Sequence, residues 1–256
     1  MKLGLIQGRL SPPNEGFQEC PSDFMMEFER LKDLDLSHIE WIVTSKSAET
    51  NPIFKLEVKD LPISSICADN IVDSRIFESD FFESCLAPIC DAAYRLGVTR
   101  ITLPLLEKSS VENDENRFFI IDKLKRISIT NPKINFSLET ELALDKISSL
   151  LVNENVTLTY DVGNTTAYGL DHVKYLKMFY KKIANVHLKD RKLNGRSLEP
   201  GQGDTDFHTI FNILQKRKYS GDYTMQFCRG VAGDEINQCK KHADFVRSMY
   251  DNSKKF

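Results

Sequence analysis

The sequence lacks the marks of several large classes of protein. It has no CxxC pair and no regular cysteine framework, its six cysteines being scattered at 20, 67, 85, 90, 228 and 239. Such scatter reads as free thiols in a reducing compartment. No Lys/Arg run exceeds a triplet and the net charge is −3, so the electrostatic footprint of a nucleic-acid binder is missing. No apolar stretch approaches transmembrane length, and the start, MKLGLIQGRLSPP, has too short an apolar run for a signal peptide. These absences lead to the expectation of a cytoplasmic protein that handles small polar molecules, without a membrane or nucleic acid as partner. No Pro/Gly/Ser-rich linker divides the chain, so residues 1–256 are expected to form one domain.

What is present is ordinary in amount and regular in arrangement. Hydrophobic residues make up 41% and charged residues 28% of 256 residues, enough for a sizeable core. Short strand-like runs alternate with longer amphipathic stretches from end to end. KLGLIQ, HIEWIV, PISSIC, TRITLP, INFSLE, VTLTYD, IANVH and DYTMQ read as eight strands. Helices are expected after Ser22 and Asp23, after Ser79 with Gly97 as its C-terminal cap, and from about Asn113 to before Pro132. Further helices are expected near ALDKISSLLV, over roughly 166 to 182, around Phe207 to Leu214, and over roughly 235 to 250. The segment NPIFKLEVKD is less regular. Eight strand–helix units in this length favour a (β/α)8 TIM barrel, an α/β fold. An open doubly wound sheet is the weaker alternative, because no Gly-rich phosphate loop follows the first strand.

Four polar residues close the last four strand-like runs: Glu139, Asp161, His187 and Gln226. They lie 22, 26 and 39 residues apart, which leaves room for one helix between successive parallel strands. Parallel strands bring their C-terminal ends together, so these residues are expected to share one pocket. Two carboxylates and an imidazole form a donor set for a divalent cation with positions open to substrate oxygens. Of the five histidines, only His187 ends a strand. His38, His172, His208 and His242 fall in or beside expected helices and strands, where solvated or capping roles are the simpler account. A lone strand-end acid or imidazole is usually a helix cap or loop anchor, and it is the coincidence of three that argues for a metal.

Several further residues are candidates for the same pocket. Gln7 and Arg9 end the first strand in QGRL, suited to gripping a hydroxyl or an anionic group, although Arg9 could simply anchor a loop. Glu40 faces either the barrel interior as a ligand contact or a structural partner. Lys189 follows His187 on the same strand face by alternation, as does Glu141 after Glu139. Gly201 and Gly203 in PGQG offer backbone N–H groups to a phosphate, or only make a tight turn.

The stretches MKLGLIQGRLSPP, INFSLETE, LTYDVGN, NVHLKDR, PGQGDTDFHTIFNIL and YSGDYTMQF give the chain a resemblance over nearly its whole length. It resembles the xylose isomerase-like TIM barrels, specifically the sugar phosphate isomerase/epimerase group, distantly related to endonuclease IV. The resemblance implies one divalent metal, most often Mn2+ with Mg2+, Co2+ or Zn2+ as alternatives, held by Glu139, Asp161, His187 and a fourth residue that is Gln226 here. It implies a small carbohydrate as substrate and Asn164 as a substrate contact in place of a histidine, where the residue could equally cap the next helix; a homo-oligomer is an option the sequence leaves open. The expected activity is isomerisation or epimerisation of a sugar or sugar phosphate through a metal-stabilised enediolate, with Glu139 as ligand and base. The departure at Gln226 removes the second carboxylate base, since an amide has no useful basicity. Lys189 is the first candidate to replace it. The same departure opens two alternatives: a lyase or dehydratase that needs a single base, and a sugar-binding barrel without chemistry. An amide of Gln226 hydrogen-bonded to Asp161 or His187 would favour the latter. Endonuclease IV-like DNA repair is the remote option, because the extra histidines for three zinc ions are missing.

Overall fold

The computed structural model describes residues 1–12, 19–57, 60–229 and 231–253. Eight parallel strands close into a barrel: β1 (Lys2–Ile6), β2 (Ile39–Ile42), β3 (Ile63–Cys67), β4 (Arg100–Leu105), β5 (Asn135–Thr140), β6 (Val156–Asp161), β7 (Ile183–Leu188) and, after the antiparallel pair β8 (Asp190–Arg191) and β9 (Ser197–Leu198), β10 (Asp222–Met225). Around the ring they follow in sequence order, with β10 hydrogen-bonded to β1. Each connection carries the chain back outside the barrel, so all eight C-terminal ends share one rim. The expected TIM barrel is the fold observed.

The strands alternate strictly between two environments. Leu3, Leu5, Trp41, Ile66, Leu103, Phe136, Leu138, Leu158, Tyr160, Val186, Tyr223 and Met225 are buried in one large apolar cluster with the surrounding helices. Most of the intervening residues that point inward are polar, among them the buried Ser65, Thr102, Ser137, Thr159, Asn185 and Thr224, while Ile6, Ile42 and Cys67 form a small apolar cluster of their own. Four of the polar residues pair, in the Ser137–Thr159 contact at 2.7 Å and the bond from Thr224 Oγ1 to Asn185 Oδ1 at 2.9 Å, while the buried Thr102 hydroxyl has no hydrogen-bond partner among the described residues. A buried polar group is costly unless paired. The Thr224–Asn185 pair continues toward the rim, where Asn185 Nδ2 donates to Glu40 Oε2 at 2.7 Å.

The helices are α1 (Phe24–Asp33), α2 (Phe81–Leu96), α3 (Asp114–Thr130), α4 (Leu144–Leu150), α5 (Val162–Ala167), α6 (His172–Phe179), α7 (Phe207–Lys216) and α8 (Glu235–Asn252). Gly97 caps α2 at φ +74°, and the Asn113 side chain caps α3 by accepting from Asn116 N at 2.8 Å, both as expected. Three expectations need correction, and the irregular segment gains detail. Asp80, not Ser79, holds the N-cap position of α2, and the Ser79 carbonyl instead accepts from Lys123 Nζ. Asp23 stands at the N-cap of α1 but makes no capping side-chain bond. The single helix foreseen over 166 to 182 is two: α5 starts directly after β6, Gly169 turns the chain at φ +66°, and Asp171 caps α6 by accepting from Lys174 N at 3.0 Å. In NPIFKLEVKD, residues 52–54 form a 3-10 turn, and Val58 and Lys59 lie outside the described residues.

The histidine reading also changes. His38 is buried, its ring 2.8 Å from Ser37 Oγ and 3.1 Å from Thr224 Oγ1, on the inside of the barrel. Only glycine fits beside it: a Cβ on Gly4 would lie 2.3 Å from the His38 carbonyl oxygen. His242 is buried as well, 3.0 Å from Glu199 Oε2. Neither is solvated, because the apolar periodicity of α8 and the barrel interior both draw the rings inward.

Candidate active site

Register brings the expected ligands together. Asp161 on β6 is the Cα partner of His187 on β7, which in turn faces Thr224 on β10, two residues before Gln226. Backbone pairing runs one residue past β10, since Gln226 N donates to Leu188 O at 2.8 Å. One ligand atom from each of Glu139, Asp161 and His187 can be chosen so that all lie within 4.8 Å of one another. All three residues are buried.

Each ligand is aimed by a specific partner. Asp161 Oδ1 accepts from Asn164 N at 2.7 Å, so the acid caps α5 and its other oxygen is left to face Lys189. Asn164 Nδ2 donates to Glu139 Oε1 at 2.9 Å and its Oδ1 accepts from Arg191 at 2.7 Å. Asn164 therefore does not cap the helix. It orients Glu139. Glu40, reaching across from β2, accepts from His187 Nε2 at 3.1 and 3.2 Å and from Asn185 Nδ2 at 2.7 Å. A carboxylate that accepts from one ring nitrogen directs the other toward the site, a common arrangement behind metal-bound histidines.

The charges follow from this geometry. Burial alone would raise the Glu40 carboxyl, but the His187 ring outweighs it and holds the group down at about 2. Burial would lower His187, yet the Glu40 and Glu139 carboxylates together push it up to about 10. Asp161 is favoured by burial to take a proton, and Lys189 and His187 overcome this and lower it. Lys189 Nζ lies 2.8 Å from Asp161 Oδ2, an ion pair at the pocket wall. Its stem packs on Gly163, where any Cβ would come within 2.7 Å.

The donor set fits a divalent cation. His187 Nδ1 and Gln226 Oε1 are buried and make no hydrogen bond, although His187 Nδ1 stands 3.5 Å from Glu139 Oε2. Buried polar atoms left in this state are costly, and His187 belongs to the cluster with Glu139 and Asp161 that a cation would satisfy. Two carboxylates, an imidazole and an amide oxygen suit Mn2+, Mg2+, Co2+ or Zn2+. Gln226 is not hydrogen-bonded to Asp161 or His187, so the arrangement expected of a site without chemistry is not formed.

Glu40, Glu139, Glu141, Asn164, Lys189 and Gln226 line this pocket together with His187. Three predicted residues are not among those lining it: Asp161, whose Oδ2 lies behind Lys189 Nζ, and Gln7 and Arg9. The Gln7 amide is spent on the Ile42 backbone, donating to its carbonyl at 3.1 Å and accepting from its N–H at 3.0 Å. Arg9 lies beyond the barrel wall, lining a separate cavity with Phe227, Arg229, Cys239 and His242. Burial, then Arg229, bring its guanidinium down to about 9. The glycines of PGQG are also committed elsewhere: Gly201 N and Gly203 N donate to Asp190 Oδ2 at 2.8 and 2.9 Å, so a carboxylate of the chain fills the place offered to a phosphate.

Sequence reasoning passed over Asp69, Glu107, Tyr168 and Arg191, all of which line the pocket. Alternation could have found two of them. Arg191 is two residues beyond Lys189, and Asp69 two beyond Cys67, at the ends of strands already recognised.

Residues 56–249 match the profile of the xylose isomerase-like TIM barrel family. An inosose dehydratase of Clostridium tetani (strain Massachusetts / E88) is 31% identical over 101 residues, covering 32% of this chain and 34% of that protein. A putative L-ribulose-5-phosphate 3-epimerase, SgbU, of Escherichia coli (strain K12) is 34% identical over 98 residues, 36% of this chain and 34% of that protein. The chain thus spans about a third of the length of these two curated relatives. The crystal structure of the IOLI protein with a bound zinc atom superposes with a TM-score of 0.72 at 17% identity, over 97% of this chain and 99% of that one. That likeness is one of fold. No helix among the described residues is long and apolar enough to cross a membrane. By the profile match over residues 56–249, the chain belongs to the xylose isomerase-like TIM barrel family.

Proposed function

We propose that the protein is a metal-dependent lyase that dehydrates a small keto-polyol or keto-sugar, with epimerisation as the second reading. The observation that carries it is Gln226. Its amide oxygen can join the ligand set, but it takes no proton, so the pocket wall at β10 has no base. Elimination needs one base at the carbon next to the carbonyl, whereas a two-carboxylate epimerisation needs two. Glu139, Asp161 and His187 would hold the metal, with Gln226 Oε1 as a fourth oxygen. When bound, a divalent cation supplies Lewis-acid polarisation of the substrate carbonyl.

The chain's own groups do the rest. Glu139 takes the proton, its Oε1 fixed by Asn164 so that one lone-pair direction stays aimed into the pocket. Lys189, already paired with Asp161, is a hydrogen-bond donor to a substrate oxygen rather than a base. In the epimerase reading the same lysine returns a proton to the opposite face of the carbon. Its position in the pocket is what favours that reading. The inosose dehydratase and epimerase relatives support sugar-like substrates for either reaction.

The test strips the protein with chelator, reloads it with Mn2+, and offers inososes, ketoses and ketose phosphates in deuterated water under NMR. Loss of water with formation of a dicarbonyl is expected. Deuterium on an inverted carbon without water loss would favour epimerisation, and no reaction with any compound would favour a binding protein. Gln226→Glu should tighten Mn2+ at least about tenfold, the minimum for one more facing carboxylate, and shift product toward the epimer. Unchanged Mn2+ affinity would remove residue 226 from the ligand set.

A further inference from the structure

We propose that Asp69 is the acid that protonates the departing hydroxyl, acting from the wall of the pocket that faces the ligand strands. This rests on the dehydration reading above. Going round the closed ring, β3 and β7 are four strands apart, so the end of β3 looks across the barrel at His187 and Lys189. Asp69 lies two residues beyond Cys67 in a 3-10 turn of residues 69–71 that follows β3 directly, and both line the pocket. Substrate held at Glu139, Asp161 and His187 therefore meets a carboxyl group on its far side.

The surroundings of Asp69 suit an acid. Its backbone carbonyl closes the turn by accepting from Val72 N at 3.0 Å, but among the described residues its carboxyl forms no hydrogen bond and no ion pair. The charged groups acting on it, after burial, are Glu139, Glu107 and Glu19, all acids. Together they lift its carboxyl to about 6, while Glu40, in the same pocket, is held at about 2. Two carboxyl groups separated in this way by their neighbours can serve as proton donor and permanent anion in one site.

The step balances without a further reactant. Glu139 takes the proton from the carbon next to the carbonyl, and the C–H electron pair moves into an enolate. The enolate re-forms its carbonyl, the adjacent carbon–oxygen bond breaks, and its electron pair leaves with the oxygen. Asp69 gives that oxygen its proton, and one water departs. Exchange with solvent then restores a proton to Asp69 and removes one from Glu139.

The experiment separates the two half-steps in Asp69→Asn, using the Mn2+-loaded full chain and a substrate the wild type dehydrates. Exchange of the carbon-bound proton with deuterated water should stay within a fewfold of wild type. Water loss should fall on the order of 10²–10⁴-fold, the usual range for a positioned acid. An analogue carrying fluoride in place of the departing hydroxyl needs no proton, so on it the variant should regain most of the wild-type rate. Equal loss on both substrates, or no loss on either, overturns the proposal while leaving the dehydration reading intact. Wild-type protein that dehydrates nothing in the panel overturns both.

Discussion

Replacing Glu40 by glutamine tests how the imidazole ligand is held. The carboxylate is fully buried and accepts three hydrogen bonds, two from His187 Nε2 and one from Asn185 Nδ2. Glutamine has the same shape, so no cavity opens. One of its two terminal atoms is now a donor, however, and must face either the Asn185 NH2 or the His187 N–H. Two effects on metal affinity then oppose each other. Without the carboxylate, His187 falls from about 10 toward its ordinary value, which weakens competition from the proton and favours the metal. The same negative charge acts on a divalent cation with twice the strength that it acts on a proton, and the freed ring loses its aim. The second effect wins. Outer partners of metal-bound histidines contribute about 10–100-fold in affinity, or about 1.4–2.7 kcal/mol. Calorimetric titration of chelator-stripped protein with Mn2+ near neutral pH, in two buffers of different ionisation enthalpy, measures both terms. Wild type should release about one proton per ion bound, and Glu40→Gln should bind more weakly and release fewer. Equal affinity and equal proton release would refute the role assigned to Glu40.

Two further predictions concern stability. Burial brings the His38 ring down to about 4 from an ordinary 6.5, so the folded protein prefers it neutral. Its contribution is complete above 6.5 and is lost as pH falls toward about 4, where the unfolded chain binds the extra proton, for a total of about 3 kcal/mol. Denaturant unfolding of wild type and His38→Gln across that window should show the difference shrinking as pH falls, and parallel curves would contradict it. Asp190→Ala should cost about 2 kcal/mol, because Gly201, Gly203 and Thr205 all donate to its carboxylate. A melting temperature within about 1 °C of wild type would sink that estimate.

The barrel was legible because its information is local. Period-two alternation in INFSLE, VTLTYD and IANVH identifies strands, and in parallel strands a polar final residue is carried to a common rim whatever lies between. That Glu139, Asp161, His187 and Gln226 end neighbouring strands is therefore legible in the sequence, whereas a carboxylate expected in place of Gln226 comes from the family resemblance alone. Alternation also says that Lys189 shares the face of His187. The α5/α6 break was local too, written in Gly169 and Asp171, but the apolar periodicity across 166 to 182 concealed it.

Tertiary structure decided what depends on which strand lies across the barrel. Glu40 and His187 are 147 residues apart and meet only because the tilt and stagger of a closed sheet set β2 against β7 through its centre. The same closure places Asp69 opposite the ligand strands. Arg9, three residues beyond the last residue of β1, passes outside the pocket because the chain turns at Gly8, φ +74°, whose N–H donates to Glu27 at 2.6 Å, and the Gln7 amide is held by the Ile42 backbone. The glycines of PGQG could not be told from a phosphate cradle until Asp190 was seen to occupy them. Sequence fixes which side chains reach the rim, since that follows from a two-residue period. Which of them face one another is set by the register of eight strands around a closed ring, and no single segment carries it.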